Sequence, residues 1–154
     1  MTDKKKLYAR MHAQAEGLFE GESDPIANAA NLAALLFMEL PAINWAGFYF
    51  LQDTELVLGP FQGQPACVRI ALGKGVCGTA AKNRQPLIVD NVDEFAGHIP
   101  CDGASQSEIV IPLLKDGVLL GVLDLDSPQL ARFDQFDQDG LKSLANLYLK
   151  RTRL

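Results

Sequence analysis

Six side chains in this sequence could do chemistry together: the thiols of Cys67, Cys77 and Cys101 and the carboxyls of Glu108, Asp124 and Asp126. Cys101 lies in Gly97-His98-Ile99-Pro100-Cys101-Asp102-Gly103, an irregular, glycine-bounded stretch without apolar periodicity. It has the least core-like context of the three, which makes it the candidate attacking thiolate. The acids sit in the two apolar runs that follow, residues 107–114 and 118–126. A reactive thiol above half-buried carboxylates suits redox or nucleophilic chemistry.

Cys77 stands in Gly73-Lys74-Gly75-Val76-Cys77-Gly78, just before a short helix expected over 79–83, where free amides and the helix dipole lower a thiol pKa. Cys67 opens an expected short strand over 67–70. Taken alone, either of these two reads most simply as an inert core thiol. Spacings of ten and twenty-four residues contain no C-x₂-C pair, and His12 and His98 are a poor complement, which argues against a zinc centre. A cysteine-protease dyad would need His98 as base, and His98 reads as a solvated loop residue. The glycine-rich segment lacks the G-x-x-x-x-G-K-[ST] order of a phosphate loop and reads as a turn into a helix.

The acids depend on a hairpin. Alternation along 118–126 sets Val118, Leu120, Val122, Asp124 and Asp126 on one face and Leu119, Gly121, Leu123 and Leu125 on the other. A two-residue turn at Asp116-Gly117 would turn Glu108 away from the aspartates. A three-residue turn over Lys115-Asp116-Gly117 places Leu114 opposite Val118 and Glu108 opposite Asp124, gathering all three carboxyls. The three-residue turn is the expectation, because otherwise Glu108 is buried without a partner. One acid at a strand end would read as a solvated rim. Three on one face raise one another's pKa and require a cation or shared protons.

Around these lie the elements that must hold them. Residues 4–19 have helical apolar spacing. Ser23-Asp24-Pro25 starts a second helix over 25–39, apolar nearly all round and therefore expected to be buried. Strands are expected over 43–51, 55–58, 67–70, 87–89, 108–114 and 118–125, with 59–65 a loop and 91–105 a long connection. A closing helix over 133–150 is capped by Asp134, with Phe136, Leu141, Leu144, Leu147 and Tyr148 inward. The order predicts an α+β fold with a mainly antiparallel sheet. Trp45 and Tyr49, four apart in a strand, share a face. Core packing is the simpler reading of that pair, and a pocket wall is the functional one.

The chain has 154 residues, 48% hydrophobic and 21% charged, enough for one domain over 1–154. A net charge of −5 argues against a nucleic-acid partner. No apolar run reaches the roughly 18 residues that span a membrane. The charged opening has no signal-type apolar region after it, so the expected compartment is the cytoplasm, where three cysteines are thiols rather than a disulfide framework.

Beyond these physical readings, Asn44-Trp45-Ala46-Gly47-Phe48-Tyr49, the Leu72–Ala80 segment, His98-Ile99-Pro100-Cys101-Asp102, Ser107-Glu108-Ile109-Val110-Ile111-Pro112 and Gly121-Val122-Leu123-Asp124-Leu125-Asp126-Ser127 closely resemble the free methionine-(R)-sulfoxide reductases, small enzymes built on a lone GAF domain. The resemblance spans nearly the whole chain. It implies a six-stranded antiparallel sheet flanked by helices and often a homodimer. It further implies Cys101 as the catalytic cysteine, Cys67 as the resolving one and Cys77 as a third thiol. Glu108, Asp124 and Asp126 would be the substrate-binding acids, with Trp45 and Tyr49 as pocket aromatics. The implied reaction reduces the free sulfoxide without a cofactor, through a cysteine sulfenic acid and then a disulfide, with thioredoxin as reductant. Which of Cys67 and Cys77 resolves first stays open, as do the individual acid roles. Two other readings remain beside it: a regulatory GAF module that binds a small effector, and a thiol sensor that responds to peroxide.

Overall fold

The structure, a computed structural model, describes residues 3–98 and 103–154. Cys101 and its neighbours 99, 100 and 102 lie outside the described residues.

Helix α1 (Asp3–Phe19) turns Tyr8, Met11, Ala15 and Phe19 inward. Helix α2 (Pro25–Glu39) begins as its capping sequence dictates: the Asp24 carboxylate accepts from the Ile26 and Ala27 amides at 3.0 and 2.9 Å, and Pro25 takes the first helical position. It is buried against the sheet and α1 as expected, though on one side only. Ala29, Leu32, Ala33 and Leu36 are buried, whereas Ile26 and Met38 face solvent, because only one side of α2 meets the sheet and α1.

Six strands follow: β1 (Trp45–Gln52), β2 (Glu55–Gly63), β3 (Arg69–Ala71), β4 (Leu87–Val89), β5 (Ser107–Lys115) and β6 (Val118–Ser127). They form one sheet in the order β3-β2-β1-β6-β5-β4, with every adjacent pair antiparallel. The edge strands β3 and β4 have three residues each, leaving little backbone open to foreign pairing. Helices α1, α2 and α4 (Gln135–Arg151) pack with Ala46, Phe48, Ile109, Ile111, Leu123 and Leu125 on one face. Helix α3 (Gly75–Asn83) packs on the other face with Trp45, Tyr49, Val110 and Val122. Among the described residues, no helix is long and apolar enough to cross a membrane.

The stretch 59–65, expected as a loop, is strand as far as Gly63. Gly59 and Pro60 together oppose Phe48, a bulge in β2 where the missing proline N–H costs no ladder bond. The expected strand over 67–70 starts only at Arg69, so Cys67 precedes it. Helix α4 carries a capping box: Asp134 accepts from the Asp137 amide, and the Asp137 carboxylate accepts from the Asp134 amide. Phe136, expected on the inner face, is half-exposed in the first turn, under the ammonium of Lys5.

The β5–β6 hairpin corrects the expected register. Its turn has two residues, Asp116 and Gly117, both with positive φ (52° and 77°), and Lys115 pairs with Val118. Taken alone, that turn would put Glu108 on the wrong face. A bulge undoes it: Leu114 pairs with Leu119 but Leu113 pairs with Gly121, so Leu120 is the extra residue. Glu108 therefore shares a face with both aspartates, opposite Asp126 rather than Asp124. Leu119 and Leu120 exchange the faces that simple alternation assigned them: Leu119 packs with Val122, and Leu120 against the helices.

Candidate functional site

The α3 face of the sheet carries the site. One row across the strands reads Trp45, Asp126, Glu108, and the next reads Gly47, Asp124, Val110. Having no side chain, Gly47 leaves room for the Trp45 ring; a Cβ there would come within 2.8 Å of it and collide with Phe61. Trp45 stacks on Phe61 at 5.2 Å and on Tyr49 at 6.0 Å between centroids. Both expectations for Trp45 and Tyr49 are met at once, since each is 2% exposed and each lines the cavity.

Their polar tips order the wall beside them. Trp45 Nε1 donates to the Gln64 carbonyl at 3.0 Å, and the Tyr49 hydroxyl donates to the Cys67 carbonyl at 2.9 Å. The segment carrying Cys67 is thereby held against the aromatic wall. Burial, reinforced by the charge of Asp124, pushes the Tyr49 hydroxyl pKa well up, so it stays a donor.

Helix α3 closes the opposite side. A Cβ on Gly78 would strike the Ala71 carbonyl, and the Gly73 amide donates to the Gly78 carbonyl at 2.8 Å. These contacts bring the helix start down onto the acids. The helix begins at Gly75, earlier than expected, so Cys77 lies within its first turn instead of before it. Cys77 Sγ donates to Glu108 Oε2 at 3.7 Å.

The expectation of a lowered Cys77 pKa is overturned. Burial pushes the thiol well up, and Asp124, Glu108 and Asp126 add negative charge around it, outweighing the helix dipole. Glu108 is likewise held well above the carboxylate range by burial and by Asp124. Asp124 is pushed up to about 8 by burial and by the charge of Asp126. At neutral pH the site thus holds protons on groups that are acidic in water. A carboxyl kept neutral here can give a hydrogen bond or a proton, and an ionised neighbour can hold a cation.

The cavity between these walls encloses about 60 Å³, and all five predicted substrate-binding residues line it, with Cys77. Cys67 borders the same apolar cluster; Cys101 lies outside the described residues. Three further polar lining residues escaped the sequence reading. Lys74 brings a cation into an acidic pocket, and Ser105 stands where the chain enters β5. His98, read as a solvated loop residue, is half-buried and also faces the cavity. The Gly73–Gly78 segment is a turn into a helix, as expected, and it also forms part of the wall. Cys77 Sγ and one oxygen each of Glu108 and Asp124 lie within 4.8 Å of one another, a set that could hold a metal ion.

Comparison with known proteins agrees with this architecture. The GAF domain family model matches residues 28–148. The free methionine-R-sulfoxide reductase of Escherichia coli is 49% identical over 142 residues, covering 92% of this chain and 86% of that protein. The structure of free methionine-R-sulfoxide reductase from Neisseria meningitidis in complex with its substrate superposes with a TM-score of 0.93 at 44% identity, covering 98% of this chain and 91% of that one. The reduced form of fRMsr from Staphylococcus aureus superposes with a TM-score of 0.92 at 48% identity, covering 95% of each chain. With a six-stranded antiparallel sheet, an aromatic wall facing buried acids, and relatives this similar over nearly its whole length, the chain belongs to the GAF-domain family of free methionine-R-sulfoxide reductases.

Proposed function

We propose that this chain acts as one GAF domain that reduces free methionine-(R)-sulfoxide to methionine, with Cys101 as the attacking thiol. The observation that carries the reading is the cavity itself: a stacked aromatic wall opposite three carboxyls, two of them held above their ordinary pKa by burial. Trp45 and Tyr49 cover the S-methyl group. An ionised carboxylate binds the substrate ammonium. A neutral carboxyl of the Glu108–Asp124 pair protonates the sulfoxide oxygen as Cys101 attacks sulfur. The S–O bond breaks, methionine leaves, and Cys101 carries the oxygen as a sulfenic acid.

Cys67 then attacks the sulfenic sulfur, a disulfide forms and water departs. In support of that role, the Cys67 sulfur is held in a disulfide, whereas Cys77 is a free, buried thiol. Cys77 serves as a positioning residue, a protonated donor that orients Glu108. Thioredoxin reduces the disulfide by dithiol exchange, a reaction suited to the cytoplasm. Recognition of the free ammonium, which a peptide bond or an N-acetyl group removes, excludes peptide-bound sulfoxide.

The test is NADPH consumption coupled through thioredoxin reductase and thioredoxin. The free (R) sulfoxide is expected to turn over, the free (S) epimer and N-acetyl sulfoxide are not, and Cys101→Ser should abolish the reaction. Full activity in Cys101→Ser would reject the assignment of the nucleophile. No turnover of any form by the folded, reduced protein would make the pocket a ligand-binding one.

A further inference from the structure

Sequence spacing argued against a zinc centre, yet folding assembles a ligand set that no spacing rule describes. Cys77 comes from α3, Glu108 from β5 and Asp124 from β6, and all three are buried. A tetrahedral ion bonded to a thiolate at ~2.3 Å and a carboxylate at ~2.0–2.2 Å sets those two ligand atoms about 3.5–3.7 Å apart. Cys77 Sγ and Glu108 Oε2 stand 3.7 Å apart, so the pair needs almost no rearrangement. The third ligand supplies an independent sign. Asp124 is 5% exposed and lines the cavity, and its Oδ1 has no hydrogen-bond partner among the described residues. A buried carboxylate oxygen without a donor is poised to accept one or to bind a cation.

We infer that this pocket binds one divalent cation of the zinc or cadmium class through Cys77, Glu108 and Asp124, with solvent completing the shell. The thiolate ligand selects against magnesium and calcium, which prefer oxygen-only shells. On binding, the Cys77 S–H bond breaks, a sulfur–metal bond forms, and the thiol proton passes to solvent with any proton held by the two carboxyls. No electron moves. The ion occupies carboxyls assigned to the substrate, so it competes with the sulfoxide. That competition rests on the proposed function; the binding does not.

The experiment uses the full chain with its Cys67 disulfide intact; among the described residues Cys77 is then the free thiol. Cobalt(II) is titrated in and the near-ultraviolet thiolate-to-cobalt absorption is followed. One equivalent per chain is expected to saturate the band, and added zinc should erase it. Cys77→Ser is expected to lack the band, and Asp124→Asn to weaken cobalt binding by at least ~10-fold. Far-ultraviolet circular dichroism establishes that both variants are folded. Absence of the band in the parent chain, or its survival in Cys77→Ser, would overturn the site. Free methionine-(R)-sulfoxide should raise the apparent Kd for cobalt. A Kd indifferent to the sulfoxide would instead overturn the sulfoxide assignment of the pocket and leave the metal site standing.

Discussion

Asp124 meets two opposed demands. Its carboxyl faces the cavity, and its surroundings oppose its charge. Burial and the Asp126 carboxylate raise it from 3.8 to about 8, so between these values the folded chain holds a proton that the unfolded chain releases. The associated stability is fully present below about 3.8 and falls away as pH rises toward 8. Asp124→Asn, neutral at every pH, is therefore expected to melt higher than the parent near pH 8 and to lose that advantage near pH 4. Thermal denaturation across this range checks it, and a pH-independent difference would contradict the raised carboxyl. The same substitution should impair turnover, the ordinary trade of stability against an active group. Cys77 shows the same physics on a thiol: its place in the first turn of α3 counts for less than the loss of water and the three acids around it.

At the scale of elements, the site depends on a single extra residue. The two-residue turn and the Leu120 bulge each invert the face of β6, and only together do they bring Glu108 beside Asp126. Gly121 is where the bulged strand passes close to β1, and a Cβ there would collide with the Tyr49 carbonyl. Gly121→Ala is expected to cost about 1–3 kcal/mol through this overlap. It should lower activity more than stability alone explains, because Tyr49 is displaced with its carbonyl. Urea unfolding and kcat measured on the folded fraction separate the two effects. Unchanged stability would show that the strands can part without penalty.

At the scale of the whole molecule, a buried ionic knot ties the two ends of the chain. Asp137, 1% exposed, accepts from the Tyr8 hydroxyl at 2.7 Å, the Lys4 ammonium at 2.7 Å, Arg132 at 3.3 Å and the Asp134 amide at 3.0 Å. Arg132 in turn donates to the Pro41 carbonyl, and its amide donates to Ser107 Oγ at the head of β5. Lys115 at the far end of β5 donates to the last carbonyls of α4, at Leu149 and Thr152. Asp137→Ala strands the Tyr8 hydroxyl and takes the buried anion from Lys4 and Arg132, which then lean on Asp134 and the Pro41 carbonyl. The expected loss is about 3 kcal/mol, read from chemical denaturation. A loss near zero would mean that solvent already satisfies Lys4 and Arg132.

Local chemistry written in the sequence determined the elements. Asp24-Pro25 starts α2, Asp134 with Asp137 boxes the start of α4, Asp116-Gly117 turns the hairpin, and the apolar runs between them form the strands. Such signals act within a few residues, so a sequence states them directly. That the three acids share one face is also expected from the pairing of two strands, whereas spacing alone favours core packing for Trp45 and Tyr49, and their pocket role is implied only by the family resemblance. Tertiary structure alone decided the rest. The bulge at Leu120 is chosen by which leucines the two cores can accept, so the convergence of the acids, expected from a three-residue turn, arises by a different route. The high pKa of Cys77 and its approach to Glu108 and Asp124 follow from desolvation and charge supplied by residues far away in the chain. His98 and Lys74 face the cavity for the same reason. Spacing can rank such residues, but the dielectric and the neighbours that set their chemistry exist only once the sheet has closed beneath α3.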